Sequence, residues 1–161
     1  MTSDNSVACE DQGCVFLSRA LHQEIRDFSA LAWPEEACGL LVAPKDARNY
    51  ITRVVFAQNI APDPLTTFEI APQTLFDAHR DARQKGEAVV GCFHSHPNGK
   101  ALPSPTDRAR AEEAGFLWLV IATQHDGAGE SKIYRIIHQA VDDGEPHAGI
   151  RYFRRCQVME D

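Results

Sequence analysis

From Val15 onward the chain switches repeatedly between helical and strand-like hydrophobic patterns. Leu17, Leu21, Ile25, Phe28 and Leu31 recur at three- and four-residue spacing, which predicts one apolar helix face with Ser18 as its cap. Trp33-Pro34 ends that helix, because the residue before a proline is pushed out of the helical region. ACGLLVA (37–43) is a short unbroken apolar run and predicts a buried strand. YITRVVFAQNI (50–60) is β-branched and predicts a second strand, and TTFEI (66–70) a short third one. Pro72 opens a helix that Gly86 closes.

EAVVGCFHSH (87–96) predicts a strand that finishes in two histidines. SPTDRARAEEAG (104–115) predicts a helix closed by Gly115. FLWLVIATQ and SKIYRIIHQA predict two strands across a glycine-containing turn, and IRYFRR another. RYFRR also reads as a basic partner-binding patch, but its alternation favours the strand. The pattern totals about six strands and three helices in mixed order, a single α/β or α+β domain with a mixed or mostly antiparallel sheet. We expect a flexible tail over 1–14, the domain over 15–155 and a short C-terminal tail over 156–161.

Composition narrows the class. The chain has 161 residues and 43% apolar content, enough for one domain with a core that needs no staples. Its net charge of −7 argues against non-specific nucleic-acid binding. No run is long and apolar enough for a membrane span, and the polar N-terminus is no signal peptide. The cysteines at 9, 14, 38, 92 and 156 are irregularly spaced, which argues against a disulfide framework and for a cytoplasmic protein.

The candidate chemistry lies in GCFHSHPNGKALPSPTD (91–107). His94 and His96 are two apart in a strand, so both imidazoles project from one face at its end. Pro97 stops the strand, and a loop of seven residues, 97–103, leads to Ser104-Pro105-Thr106-Asp107. Ser, Pro and Asp are each favoured at a helix start, so this segment alone would be structural. Capping, however, gives no reason for two histidines on one face just before it. A helix start facing the strand end brings Asp107 against the imidazoles. Two histidines and a carboxylate leave a tetrahedral metal one open position for water, and such water is a nucleophile near neutral pH.

His94-Ser95-His96-Pro97, six residues, then Ser104-x-x-Asp107 resembles the signature of the JAMM (MPN or JAB) metalloprotease family. The family's upstream glutamate matches P-x-E-x-x-x-L-L in Trp33–Leu41, which selects Glu36 over Glu35. The resemblance runs from about Leu17 to about Ile137 and is similar to the compact stand-alone prokaryotic members. It implies a cytidine-deaminase-like layering of sheet and helices. It implies one Zn2+ held by His94, His96 and Asp107, with water as fourth ligand. Glu36 would then be the general base and Ser104 the oxyanion donor. The implied reaction is hydrolysis of the amide bond after the C-terminal Gly-Gly of a ubiquitin-like or sulfur-carrier protein, whether to trim its tail or to free a conjugated target. An extended tail would add to a sheet edge, with TTFEI as the candidate edge.

Two other classes share some of these features: a non-catalytic metal-binding scaffold or partner-binding module, and a zinc hydrolase of other small peptides. A scaffold has no need of Glu36 or Ser104, and the cysteine-containing zinc motif of nucleoside deaminases is absent. The remaining histidines, 22, 79, 125, 138 and 147, suggest no second site, and Cys92 reads as a core residue beneath the histidines.

Overall fold

The computed structural model describes residues 13–139 and 150–161. One sheet of eight strands, in the order β3-β1-β8-β7-β6-β5-β2-β4, forms the middle layer. The strands are β1 (Cys14–Leu17), β2 (Cys38–Pro44), β3 (Tyr50–Ile51), β4 (Arg53–Ala57), β5 (Glu87–His96), β6 (Leu117–Gln124), β7 (Gly127–Gln139) and β8 (Ile150–Met159). The helices are α1 (Arg19–Ala32), α2 (Pro72–Gln84) and α3 (Pro105–Arg110). The sheet is mixed: β5 and β6 run parallel, as do β1–β3 and β1–β8, and the other pairs are antiparallel. The fold is therefore the expected mixed α+β arrangement, with eight strands rather than six.

Each face of the sheet carries its own core. On one face Ile25 and Leu21 of α1 pack over Leu41, Phe93, Leu119 and Ile133. On the other, Ala78 and Ala82 of α2 pack over Leu40, Val42, Cys92 and Trp118. Alternate residues of β5 thus serve opposite cores. Ser18 caps α1 by accepting from the Leu21 N–H at 3.1 Å, as its position implied. Gly91 faces Leu117 across the parallel pair, and a Cβ there would collide with that residue's backbone carbonyl.

Several boundaries differ from the sequence reading. Cys14–Leu17 pairs with β3 and β8 and forms a strand before α1 begins. The run 50–60 splits into β3 and β4. TTFEI is not a strand, because the side chain of Asn59 takes up its Thr67 carbonyl and Glu69 N–H. α3 stops at Arg110, with Ala111 as its C-cap turning into the core, well short of Gly115. At the far end β8 continues through Met159, where it pairs with β1, so 157–159 belong to the sheet rather than to a tail. Of the described cysteines, Cys38, Cys92 and Cys156 are free thiols, whereas Cys14 is disulfide-bonded, against our reading of the cysteines. Most of the 1–14 segment, and His147, lie outside the described residues. Among the described residues no helix is long and apolar enough to cross a membrane.

Candidate metal centre

The C-terminal end of β5 carries His94 and His96 on the face that also holds Cys92. Their Nε2 atoms are 2.8 Å apart, and the Asp107 Oδ2 lies 3.1 Å from each. All three residues are buried. Asp107 reaches this point because α3 starts there. Ser104 Oγ accepts from the Asp107 N–H at 3.1 Å, and Asp107 Oδ2 accepts from the Ser104 N–H at 2.8 Å. This reciprocal capping box holds the carboxylate in place. It also occupies one lone pair of the Ser104 hydroxyl and leaves its proton available to donate.

The environment sets the charge of each donor. Burial pushes the Asp107 carboxyl upward, but hydrogen bonds from His94 and His96, the His94 charge and the Ser104 N–H outweigh it and hold the carboxyl well below the usual range. Asp107 is thus an anion. Burial lowers His94 below its ordinary value. Burial acts the same way on His96, but Asp107, Glu36 and the Lys100 carbonyl reverse it, and the net shift is upward. His96 Nδ1 lies 3.1 Å from the Lys100 carbonyl, which can only accept, so Nδ1 carries a proton and Nε2 is the nitrogen whose lone pair a metal would take in place of a proton. His94 is fixed by packing instead: Phe68 stacks on its ring at 4.6 Å and Trp118 meets it edge-on at 5.6 Å.

Glu36 lies on the segment between α1 and β2 and is 3% exposed. Its Oε1 is 3.6 Å from His96 Nε2, and its Oε2 is buried without a partner. Burial, chiefly, raises its pKa to about 7, with Asp107 adding to the effect and His96 opposing it. The exposed neighbour Glu35 shares none of these features.

The donor set fits a metal ion. Two imidazole lone pairs and a carboxylate oxygen converge, and without protons or a cation between them they repel. Ligand atoms on a tetrahedral zinc, at bond lengths of roughly 2.0–2.2 Å, sit about 3.3 Å apart, so the observed triangle needs to open by only a few tenths of an ångström. A second triangle, Glu36 with His94 and His96, has its ligand atoms within 4.8 Å of one another. Asp107 makes the tighter set, and it is the carboxylate already held as an anion.

Two residues that the sequence did not single out hold these pieces together. Ser95, buried between the histidines, accepts from the Ala37 N–H through its Oγ at 2.8 Å, and its own N–H donates to the Ala37 carbonyl at 3.0 Å. Asn59 donates through Nδ2 to the carbonyls of Glu36 (3.0 Å) and Thr67 (2.9 Å). Its Oδ1 accepts from the N–H groups of Ala61 (3.0 Å) and Glu69 (3.1 Å). The Glu36 N–H donates to the Pro64 carbonyl at 2.8 Å. Glu36 is therefore clamped from both sides. Neither residue shows in local spacing, because Ala37 lies 58 positions from Ser95 and Glu36 lies 23 from Asn59.

Comparison with known proteins identifies the family. The model of the prokaryotic homologs of the JAB domain matches residues 18–137, and the chain belongs to that family. It is 31% identical over 147 residues to a desampylase of Haloferax volcanii, covering 88% of this chain and 100% of that one. It is 33% identical over 93 residues to a probable TtuB-protein conjugate cleaving protease of Thermus thermophilus, 58% of this chain and 60% of that one. A CysO-cysteine peptidase of Mycobacterium bovis is 28% identical over 110 residues, 68% of this chain and 74% of that one. A solution structure of a protein from Desulfitobacterium hafniense superposes with a TM-score of 0.68 at 26% identity, covering 91% and 94% of the two chains. A JAB1/MPN domain protein from Archaeoglobus fulgidus shares the fold, with a TM-score of 0.53 at 19% identity and coverage of 91% and 98%.

Proposed function

We propose that the protein is a zinc-dependent peptidase or isopeptidase that hydrolyses the amide bond after the C-terminal Gly-Gly of a ubiquitin-like or sulfur-carrier protein. The observation that carries this reading is the buried triangle of His94, His96 and Asp107 beside a carboxyl, Glu36, poised near neutrality. The names of the relatives, a protein-conjugate cleaving protease and a cysteine peptidase among them, support a protein's carboxyl end as the acyl side of the bond.

In this reading His94, His96 and Asp107 hold the metal. When bound, Zn2+ supplies a water of lowered pKa and a Lewis acid for the scissile carbonyl. Glu36 takes the proton from the attacking water and passes it to the leaving amine. Its raised pKa suits that exchange, because a base near the working pH both accepts and returns a proton. Ser104 directs its free O–H toward the oxygen on which negative charge develops. The Lys100 carbonyl keeps His96 in the tautomer the metal needs.

The test is a cleavage assay. A ubiquitin-like sulfur-carrier protein extended by a short peptide after its Gly-Gly is incubated with the zinc-loaded protein, with and without chelator, and mass spectrometry locates the cut. Cleavage after Gly-Gly that chelator abolishes and zinc restores is expected. Absence of any cut in protein carrying one zinc per chain, on both extended and lysine-linked substrates, overturns the proposal.

A further inference from the structure

The candidate site leaves one prominent surface unused. In a chain with 23 acidic against 16 basic residues, five arginines gather on the α3 and β8 side: Arg108, Arg110, Arg151, Arg154 and Arg155. Among the described residues none of them lies within ion-pair distance of a carboxylate; the arginines that do are Arg19, Arg53 and Arg80. Glu112 and Glu113, which follow α3, pair with none of them. Among the described residues, Arg110 and Arg151 instead donate to backbone carbonyls and Arg108 lies over an aromatic ring.

The arrangement is directional. Strand alternation sends Arg151, Phe153 and Arg155 to the α3 face and Arg154 to the other. Phe153 packs on Trp118 and Tyr134, with ring centroids at 5.5 and 5.9 Å, and the Arg108 guanidinium lies 5.8 Å over its ring. Arg155 stands directly across the strand pair from Tyr134. Arg151 donates to the Ala111 carbonyl at the end of α3. Trp118, shared with the His94 packing, joins this face to the metal centre. Beside Trp118 lies an open groove of about 510 Å³ walled by Phe68, Trp118, Phe116 and Arg110, and a separate small pocket is lined by Arg108, Arg151 and Phe153. Arg110 spans from α3 to the Phe68 carbonyl. Among the described residues, β8 has a strand neighbour on its outer side only from residue 157 onward.

We propose that Arg108, Arg151 and Arg155, set around Phe153, form a docking face for the acidic surface of the folded body of the ubiquitin-like partner. The inference rests on the proposed peptidase reading for the identity of the partner. Charge complementarity selects an acidic partner face, because like-charge contact elsewhere on this acidic chain is repulsive. Rim charges of this kind act on encounter and on salt dependence more than on the chemical step.

The experiment compares wild type with Arg151→Glu/Arg155→Glu on two probes. One is an acidic ubiquitin-like sulfur-carrier protein extended by four residues after its Gly-Gly; the other is a synthetic peptide carrying only that tail and extension. Arg154→Glu, on the opposite face of the same strand, controls for folding and for a charge reversal on β8 as such. Binding of the folded probe to zinc-free protein is measured in parallel by fluorescence anisotropy, so that docking is read without catalysis. We expect the double reversal to raise KM for the folded probe and weaken its binding at least tenfold, with kcat and peptide cleavage within twofold of wild type. Wild-type KM should climb with salt from 50 to 500 mM, and the variant's should not. Unchanged KM and binding in the double variant, an equal loss on peptide and folded probe, or an equal effect of Arg154→Glu overturns the docking face. Arginine-dependent binding with no cleavage of either probe would keep the docking face and sink the peptidase reading instead.

Discussion

The backbone N–H of Ala37 donates to the hydroxyl of Ser95 at 2.8 Å. That bond ties the residue after Glu36 to the residue between His94 and His96. The two bonded residues are 58 positions apart in sequence, so Glu36 and the histidine strand are one hydrogen bond apart in space. Ser95→Ala keeps every donor of the metal set but leaves the Ala37 N–H unsatisfied in a fully buried position. A lost partner of that kind costs about 1–3 kcal/mol. We expect a matching loss in urea unfolding, zinc content close to wild type, and kcat reduced more than KM.

Asn59 makes a similar prediction with a built-in control. Its amide uses both donor and acceptor ends on four backbone groups. Asn59→Asp preserves shape and both Oδ1 bonds but turns an oxygen toward the Glu36 and Thr67 carbonyls. Destabilisation by about 1–3 kcal/mol follows from two part-buried acceptors left without donors, together with a displaced Glu36. The measurement is the acid limb of the pH–rate profile: it should shift in the variant. An unmoved limb would leave Asn59 a purely structural knot.

Metal loading should report on Asp107. A ligand that binds only the folded state at about a hundredfold over its Kd adds roughly 2.7 kcal/mol. Zinc should therefore raise the unfolding midpoint of wild type and of Glu36→Ala. His94→Ala and Asp107→Ala should lose both the stabilisation and the bound zinc. Equal zinc content in Asp107→Ala and wild type would reject Asp107 as a ligand and favour the looser Glu36-containing triangle.

The pH dependence of the metal-free protein follows from Glu36. Its ordinary pKa of 4.5 rises to about 7 in the fold, chiefly through burial. Below pH 4.5 the carboxyl is neutral in folded and unfolded chains, and the full stability is present. Between 4.5 and 7 only the unfolded chain ionises, so stability falls as pH rises through this window and levels off above it. The loss is on the order of 3 kcal/mol. Glu36→Gln removes it: with chelator present, the variant should match wild type at pH 4 and exceed it by that margin at pH 8. A gap independent of pH would show that the carboxyl is not the titrating group.

Gly91→Ala tests the close approach of β5 and β6. The added methyl would press on the Leu117 carbonyl, a backbone atom that cannot rotate away. We expect destabilisation of about 2 kcal/mol or more from overpacking, and reduced zinc affinity because β5 carries both histidines.

The parts of the site legible in the sequence are those written in local spacing. His94 and His96 share a face because strands alternate, and Ser104 and Asp107 meet because a capping box closes over three residues. Glu36 needed the family resemblance, since an isolated glutamate after a Pro-Glu turn is otherwise unremarkable. Ser95 and Asn59 stayed hidden because each acts on backbone groups far away in sequence. TTFEI has strand composition, but Asn59 takes the backbone groups a neighbouring strand would use. RARAEEA has helix propensity, yet Ala111 is drawn into the core and α3 ends before it. In both cases tertiary contacts override a weak local preference.

The shared oxygen of Asp107 has one more consequence. α3 has six residues, too few to hold a helix in isolation. Its first turn depends on the carboxylate oxygen that also faces the imidazoles. The corner thus has no halfway form with the helix present and the ligand set dispersed. Ordering the helix start and gathering the three side chains are one event, so a chain that has folded its α3 has by that act brought Asp107 against His94 and His96.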